Sequence, residues 1–100
     1  MVTIKAIIKR YSRNGEKTGW SYVDISAAQA NKIKADYKRS YKVKGFIDES
    51  AISQIAMIPM GGGTFIIPIK AAIRKKIGKE EGDKVVLKLE EDLKEYQLDK

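Results

Sequence analysis

Slid along itself by 44 positions, this 100-residue sequence meets its own likeness: Ile25, Ala27, Ala28, Lys32, Ile33, Lys44 and Asp48 fall on Ile69, Ala71, Ala72, Lys76, Ile77, Lys88 and Asp92. A repeated segment repeats its secondary structure, and each copy must bury its apolar face against something. Both copies, residues 20–48 and 64–92, read as strand, short helix, strand. In the first, Trp20 to Ile25 is a strand, and Ser26 with Gln29 three residues on forms a capping box that starts a helix over 27–35. Tyr41, Val43 and Ile47 then alternate with Lys42, Lys44 and Asp48 as a half-buried strand does. In the second, Thr64 to Ile69 is a strand, Lys70 to Ile77 a helix and Lys84 to Glu90 an alternating strand. Tyr41 and Val43 map onto Val85 and Leu87, so the inward face keeps its phase.

The segments outside the repeat supply more strand. Val2, Ile4, Ala6 and Ile8 alternate with Thr3, Lys5 and Lys9, and the polar stretch from Ser12 to Gly19, with Asn14-Gly15, predicts a hairpin that returns to Trp20. Asp48-Glu49-Ser50 turns the chain into Ala51 to Met60. Ala51 to Ile69 carries no charge and approaches membrane-spanning length, but Pro59, Pro68 and Gly61-Gly62-Gly63 interrupt it as a helix, so it reads as two strands and a turn. Leu93 to Lys100 is expected to add a short edge element or a loose end.

Helices this short cannot cover an open sheet, but they can plug the ends of a closed one. The expected architecture is therefore mostly β: one domain over residues 1–100, a small barrel of two pseudo-repeated β-α-β units with two short helices. One core is what a chain of this length supports, with roughly 60–70% of its unfolded surface buried. At 43% hydrophobic and 33% charged residues it is far from the composition of disordered chains.

The sequence has no cysteine and no histidine, which removes disulfides, thiolate chemistry and the commonest metal ligand and general base. Asp24, Asp48 and Asp92 stand singly, without an acid–base partner in sequence. No enzyme activity, cofactor or metal is expected. The opening Met1-Val2-Thr3-Ile4-Lys5 lacks the basic and apolar regions of a signal peptide, so the expected location is the cytoplasm, away from membranes.

Charge is the property that bears on partners. The net formal charge is +7, and residues 1–79 hold 16 Lys and Arg against 5 Asp and Glu, whereas residues 80–100 hold 4 against 8. Such a body suits an anionic partner such as nucleic acid, or simply stays soluble and blunts sheet edges with lysine. Two clusters stand out: Lys38, Arg39, Lys42 and Lys44 after the first helix, and Lys70, Arg74, Lys75 and Lys76 in the second. At pseudo-two-fold ends of a barrel they would straddle a phosphate backbone, with Arg able to grip phosphate in a bidentate way; their aliphatic stems would equally well cover the barrel ends while the charges stay wet. Trp20 and Tyr22, opposite Val23 and Ile25, would stack on bases or pack beneath a loop. Gly61, Gly62 and Gly63 offer backbone N–H groups to a phosphate or small molecule, but a strand follows them, with none of the Lys-Ser/Thr ending of a P-loop, so a turn with positive φ is the simpler reading.

The run from Pro59 through Gly61-Gly62-Gly63-Thr64-Phe65-Ile66-Ile67-Pro68-Ile69-Lys70, continued by Arg74-Lys75, Ile77-Gly78-Lys79, Gly82-Asp83 and Leu89-Glu90-Glu91-Asp92, closely resembles a bacterial family, domain of unknown function 1905. The resemblance includes Val43-Lys44-Gly45-Phe46-Ile47-Asp48 and departs at Asp24, where the family tends to have proline. It implies a double-split β-barrel and no established activity. Ile66-Ile67-Pro68 through Arg74-Lys75-Lys76-Ile77-Gly78 to Gly82-Asp83-Lys84-Val85 is also similar to the swapped-hairpin signature of AbrB-type transcription regulators. In those proteins two chains share one barrel and the dimer binds DNA; a chain carrying both units is expected to close its barrel as a monomer.

Two functions of different classes follow as expectations. The first is a non-enzymatic binding module for an anionic partner, nucleic acid foremost, through the basic clusters. The second is a protein-interaction or accessory domain whose basic surface only solubilises it, and a small-molecule site at Gly61–Gly63 is a third.

Overall fold

Alternation along the chain becomes a single curved sheet. The computed structural model describes residues 1–10 and 21–93. Its elements are β1 (Val2–Ile7), β2 (Lys9–Arg10), β3 (Ser21–Ile25), α1 (Ala27–Ile33), β4 (Tyr41–Ile47), β5 (Ser50–Gly61), β6 (Thr64–Pro68), α2 (Ala71–Ile77) and β7 (Lys84–Glu91). All neighbours pair antiparallel, in the order β1-β7-β4-β5-β6-β3-β2.

Two segments carry the chain from one half of the sheet to the other. β5 lies on β4 from Ser50 to Met57, then on β6 from Ile58 onward. On the far side, β1 pairs with β7 and β2 with β3, with only Ile8 between them. The Ile8 N–H donates to the Asp83 carbonyl at 2.9 Å and its carbonyl accepts the Gly82 N–H at 2.8 Å, so the break leaves no backbone group without a partner. Because β1 and β2 are the two ends of the strand order and follow one another in the chain, the sheet closes into a nearly complete barrel.

Of the hairpin expected between the first strand and Trp20–Ile25, the described residues pair Lys9 and Arg10 with Tyr22 and Ser21, while Val2–Ile7 aligns with Lys84–Leu89. A partner 77 to 87 positions away leaves no trace in local pattern, whereas Asn14-Gly15 does. Trp20 and that loop lie outside the described residues, as does the tail beyond Leu93.

Two strand pairs are centred on residues 44 positions apart. Val23 faces Ile67 in the β3–β6 pair, flanked by Tyr22↔Pro68 and Asp24↔Ile66. Gly45 faces Leu89 in the β4–β7 pair, flanked evenly out to Val43↔Glu91 and Ile47↔Leu87. Beyond the β4–β7 pair, the Asp48 N–H donates to the Val86 carbonyl at 2.7 Å, and the Asp92 N–H to the Lys42 carbonyl at 2.9 Å.

The inward faces meet in one core. Val23, Val43, Ile47, Ile67, Leu87 and Leu89 have no exposed surface; removing one such side chain from water stabilises the fold by about 1.5–3 kcal/mol. Tyr41 stands edge-on to Phe65 at 5.6 Å and to Tyr37 at 5.5 Å. Gly45 sits in this layer with φ 143°, and a Cβ there would lie 1.8 Å from the Lys88 carbonyl oxygen, so β4 and β7 approach as they do only because the side chain is absent.

The helices are short because each is capped early. α1 opens on the reciprocal bonds of its capping box: the Gln29 N–H donates to Ser26 Oγ at 3.2 Å, and the Ser26 N–H to Gln29 Oε1 at 2.9 Å. It ends at Ile33 rather than Ala35, because Lys34 turns extended. There the Lys34 ammonium pairs with Glu91 and lies 4.2 Å from the Tyr37 ring centre. α2 opens on Lys70 without a side-chain cap and closes on Gly78 in the left-handed region, φ 70° and ψ 33°. Ala30 is buried, and Ile33, Ile73 and Ile77 pack against the core. Among the described residues no helix is long and apolar enough to cross a membrane.

Candidate functional site

The two basic clusters of the sequence stay apart. Lys38 and Arg39 are exposed on the segment leading into β4, and Lys42 follows on the outer face of that strand. Lys76 lies beyond the other end of β4, beside Asp48 and Ser50. The strand between Lys42 and Asp48 spans about 20 Å. Lys44 faces Glu90 across the β4–β7 pair, with Nζ 3.9 Å from its carboxylate. Arg74 serves the fold: its Nε meets Glu80 Oε1 at 3.1 Å and its Nη1 donates to the Ile69 carbonyl at 2.6 Å, tying both ends of α2 together. Lys70, the N-cap of α2, and Lys75 on that helix are exposed.

Gly61, Gly62 and Gly63 form the β5–β6 turn, with φ of 95°, 64° and 83°, closed by the Thr64 hydroxyl donating to the Gly61 carbonyl at 2.7 Å. A Cβ on Gly63 would come within 3.3 Å of the Ala27 Cβ, so the turn is also pressed against the start of α1. Residues 60–69 bring no cationic side chain to that loop. Tyr22 stands on the outer side of β3, half-buried, opposite Lys9 and Pro68.

A basic field does form where local pattern does not show it, around Val86. The register Ile7↔Lys84, Lys5↔Val86 and Thr3↔Lys88 on β1, with Phe46↔Lys88 on β4, sets these residues on the outer face of three adjacent strands. Lys5 is thus diagonal to both Lys84 and Lys88, about 7–8 Å from each at the backbone. Two grooves meet at Val86. One, of ≈ 630 Å³, is lined by Asp48, Glu49, Ser50, Lys76, Ile77 and Lys88. The other, of ≈ 450 Å³, is lined by Lys5, Ile7, Lys79 and Lys84 among others. The grooves together carry five lysines and two carboxylates. Lys5, Lys76, Lys84 and Lys88 have no carboxylate partner among the described residues.

Lys79 is the exception. Its Nζ lies 2.8 Å from Asp48 Oδ2 and donates to the Lys84 carbonyl at 2.6 Å. Asp48, with φ 54° at the β4–β5 turn, accepts the Val86 N–H on Oδ1 at 3.0 Å. Burial pushes its carboxyl up, but the Lys79 ammonium and the Val86 N–H together outweigh burial and hold it below its ordinary value. Asp48 therefore remains an anion and cancels Lys79, leaving the neighbouring lysines as the source of positive potential. The other two single carboxylates are likewise structural: Asp24 pairs with Lys9 at 2.5 Å, and buried Asp92 accepts the Gln54 N–H at 2.9 Å.

Of the sequence candidates only Lys76 belongs to this field. Lys5, Lys84 and Lys88 were visible as the outward phase of two alternating strands, but joining them requires the β1–β7 register. The chain belongs to the family described as Domain of unknown function (DUF1905), which matches residues 5–89. No curated protein and no solved structure matches it.

Proposed function

We propose that this protein is a non-enzymatic module that binds an anionic partner across the β1–β7–β4 face. The observation that carries the reading is the convergence of Lys5, Lys76, Lys84 and Lys88, without carboxylate partners among the described residues, on two grooves that meet at Val86. Lysines that merely keep a barrel soluble gain nothing from converging, because like charges 7–8 Å apart repel; a polyanion relieves that repulsion and releases its own counterions.

Binding of a fluorescent oligonucleotide, followed by anisotropy against salt, tests it. Affinity falls steeply as salt rises. Reversing Lys84→Glu with Lys88→Glu weakens binding at low salt by tenfold or more, whereas Lys38→Glu with Arg39→Glu, at the other end of β4, changes it little. Binding indifferent to the first pair of reversals overturns the reading, and an absence of binding at low salt returns the surface to a solubilising role.

The same reading takes the barrel to be a duplicated one. Support comes from the strand pairs centred on Val23/Ile67 and Gly45/Leu89, and from helices of seven residues each beginning at Ala27 and Ala71. It extends the units beyond residues 20–48 and 64–92, because β5 bridges β4 and β6 much as β1 with β2 bridges β7 and β3. A chain holding both units closes its own barrel and is a monomer.

A further inference from the structure

The lysine field is not purely polar, and its apolar part has an arrangement of its own. On the outer face of β1, β7 and β4, Ile7, Val86 and Phe46 lie on one diagonal: Val86 is two positions from Lys84, which faces Ile7, and two from Lys88, which faces Phe46. Ile7 is 48% exposed and Phe46 39%. Lys5 and Lys88 flank this diagonal on one side; Lys84 flanks it on the other, with Lys76 and Lys79 along the groove walls. From this geometry we infer that the anionic partner is a single-stranded nucleic acid, laid along the diagonal with its bases on Phe46, Val86 and Ile7 and its phosphates against the lysines.

The inference rests on the anion-binding reading above and narrows it. A duplex offers phosphates but keeps its base faces inside, so it would bury Phe46 and Ile7 against charged backbone and gain nothing from them. Diagonal neighbours on an antiparallel sheet are about 7–8 Å apart, whereas stacked bases of a duplex rise about 3.4 Å per strand. An extended single strand spans the wider step, and every base has a π-face for Phe46 to stack on, whatever its identity. Ile7 and Val86 line grooves that also hold lysine side chains, with Val86 half-buried, so a thin strand reaches them more readily than the surface of a bilayer does. The pseudo-equivalent corner lacks the combination: where Lys88 faces Phe46, Lys44 faces Glu90.

The test uses the full chain and four probes at one salt concentration: a single-stranded DNA oligonucleotide, its duplex, inorganic polyphosphate and phosphatidylglycerol vesicles. The single strand is expected to bind tighter than the duplex by about tenfold or more. Phe46→Leu, which keeps the apolar area and removes the ring, weakens the single strand on the order of tenfold and leaves polyphosphate binding unchanged. Phe46→Tyr restores it. Lys84→Glu with Lys88→Glu weakens single strand and polyphosphate alike. Equal affinity for single strand and duplex, or indifference to Phe46→Leu, overturns the single-strand inference while the lysine reading stands; polyphosphate binding indifferent to the lysine reversals overturns the lysine reading itself. Capture by vesicles without capture of the oligonucleotide overturns the inference in favour of a membrane surface.

Discussion

The half of the chain that ends at Asp48 and the half that ends at Asp92 build matching elements with different chemistry, and the differences show which features hold the barrel and which are available to a partner. At the crossing of β4 and β7 the first half contributes Gly45 and the second Leu89. At the outer corners Lys44 is answered by Glu90, and Lys88 by Phe46. At the strand ends Asp92 is buried, with Gln54 as a backbone donor, whereas Asp48 is half-buried and paired with Lys79. One end of the β4–β7 pair is thus neutralised by Glu90 and Glu91 against Lys44 and Lys34; the other is left cationic.

The largest break in this comparison comes at the crossing. Gly45→Ala places a methyl group 1.8 Å from the Lys88 carbonyl, with a backbone φ that side chains rarely adopt. Because backbone cannot step aside cheaply, the expected loss is on the order of 4 kcal/mol, read by urea denaturation or as failure to fold. Asp92→Ala comes next. It strips the Gln54 N–H, whose residue sits at φ 51°, of its acceptor, for a loss of about 1–3 kcal/mol, and should exceed the loss from Asp48→Ala, whose surroundings are more open to water.

The helix starts give a smaller and opposed pair. Ser26→Ala removes the capping box of α1 and costs about 1 kcal/mol, whereas Lys70→Ser supplies α2 with the cap it lacks and removes a cation from a helix N-terminus, gaining several tenths to about 1 kcal/mol. If the two changes move stability in the same direction, the contrast between the caps is wrong.

Titration sharpens the comparison further. Tyr41, at the start of β4, has its phenol buried with no hydrogen-bond partner among the described residues. Burial, reinforced by the Glu91 carboxylate, pushes its pKa up to about 12. The folded value lies above the unfolded one, so the associated stability is complete below pH 10 and is lost as pH rises towards 12. Tyr41→Phe should abolish that alkaline loss and change neutral-pH stability by less than about 1 kcal/mol, since no hydrogen bond is broken. Asp48 has the opposite sign: its contribution is present above the ordinary carboxylate value of 3.8 and fades as pH falls below it, a loss that Asp48→Asn removes.

Much of the architecture is legible in sequence because it is local. The outward lysines of β4 and β7, the Ser26–Gln29 box and the Gly61–Gly63 turn each express a short-range rule. The pairing of β1 is not legible that way, since Asn14-Gly15 advertises a hairpin while Val2–Ile7 takes a partner from the other end of the chain. The lysine field fails to show for the same reason: runs such as Lys75-Lys76 and Lys38-Arg39 attract notice, but Lys5, Lys84 and Lys88 become neighbours only through long-range register. Arg74 looked like a phosphate contact because its type suits one; its place beside Glu80 and the Ile69 carbonyl depends on the fold.

Amide chemical shifts followed while a short single-stranded oligonucleotide is added test the central claim most directly, because every corner of the barrel reports at once. The account predicts shifts gathered at Lys5, Ile7, Phe46 and Lys84 to Lys88, with little change at Lys38 to Lys42, at the other end of β4. Shifts centred on Lys38 to Lys42, or on the Gly61–Gly63 turn, would contradict it.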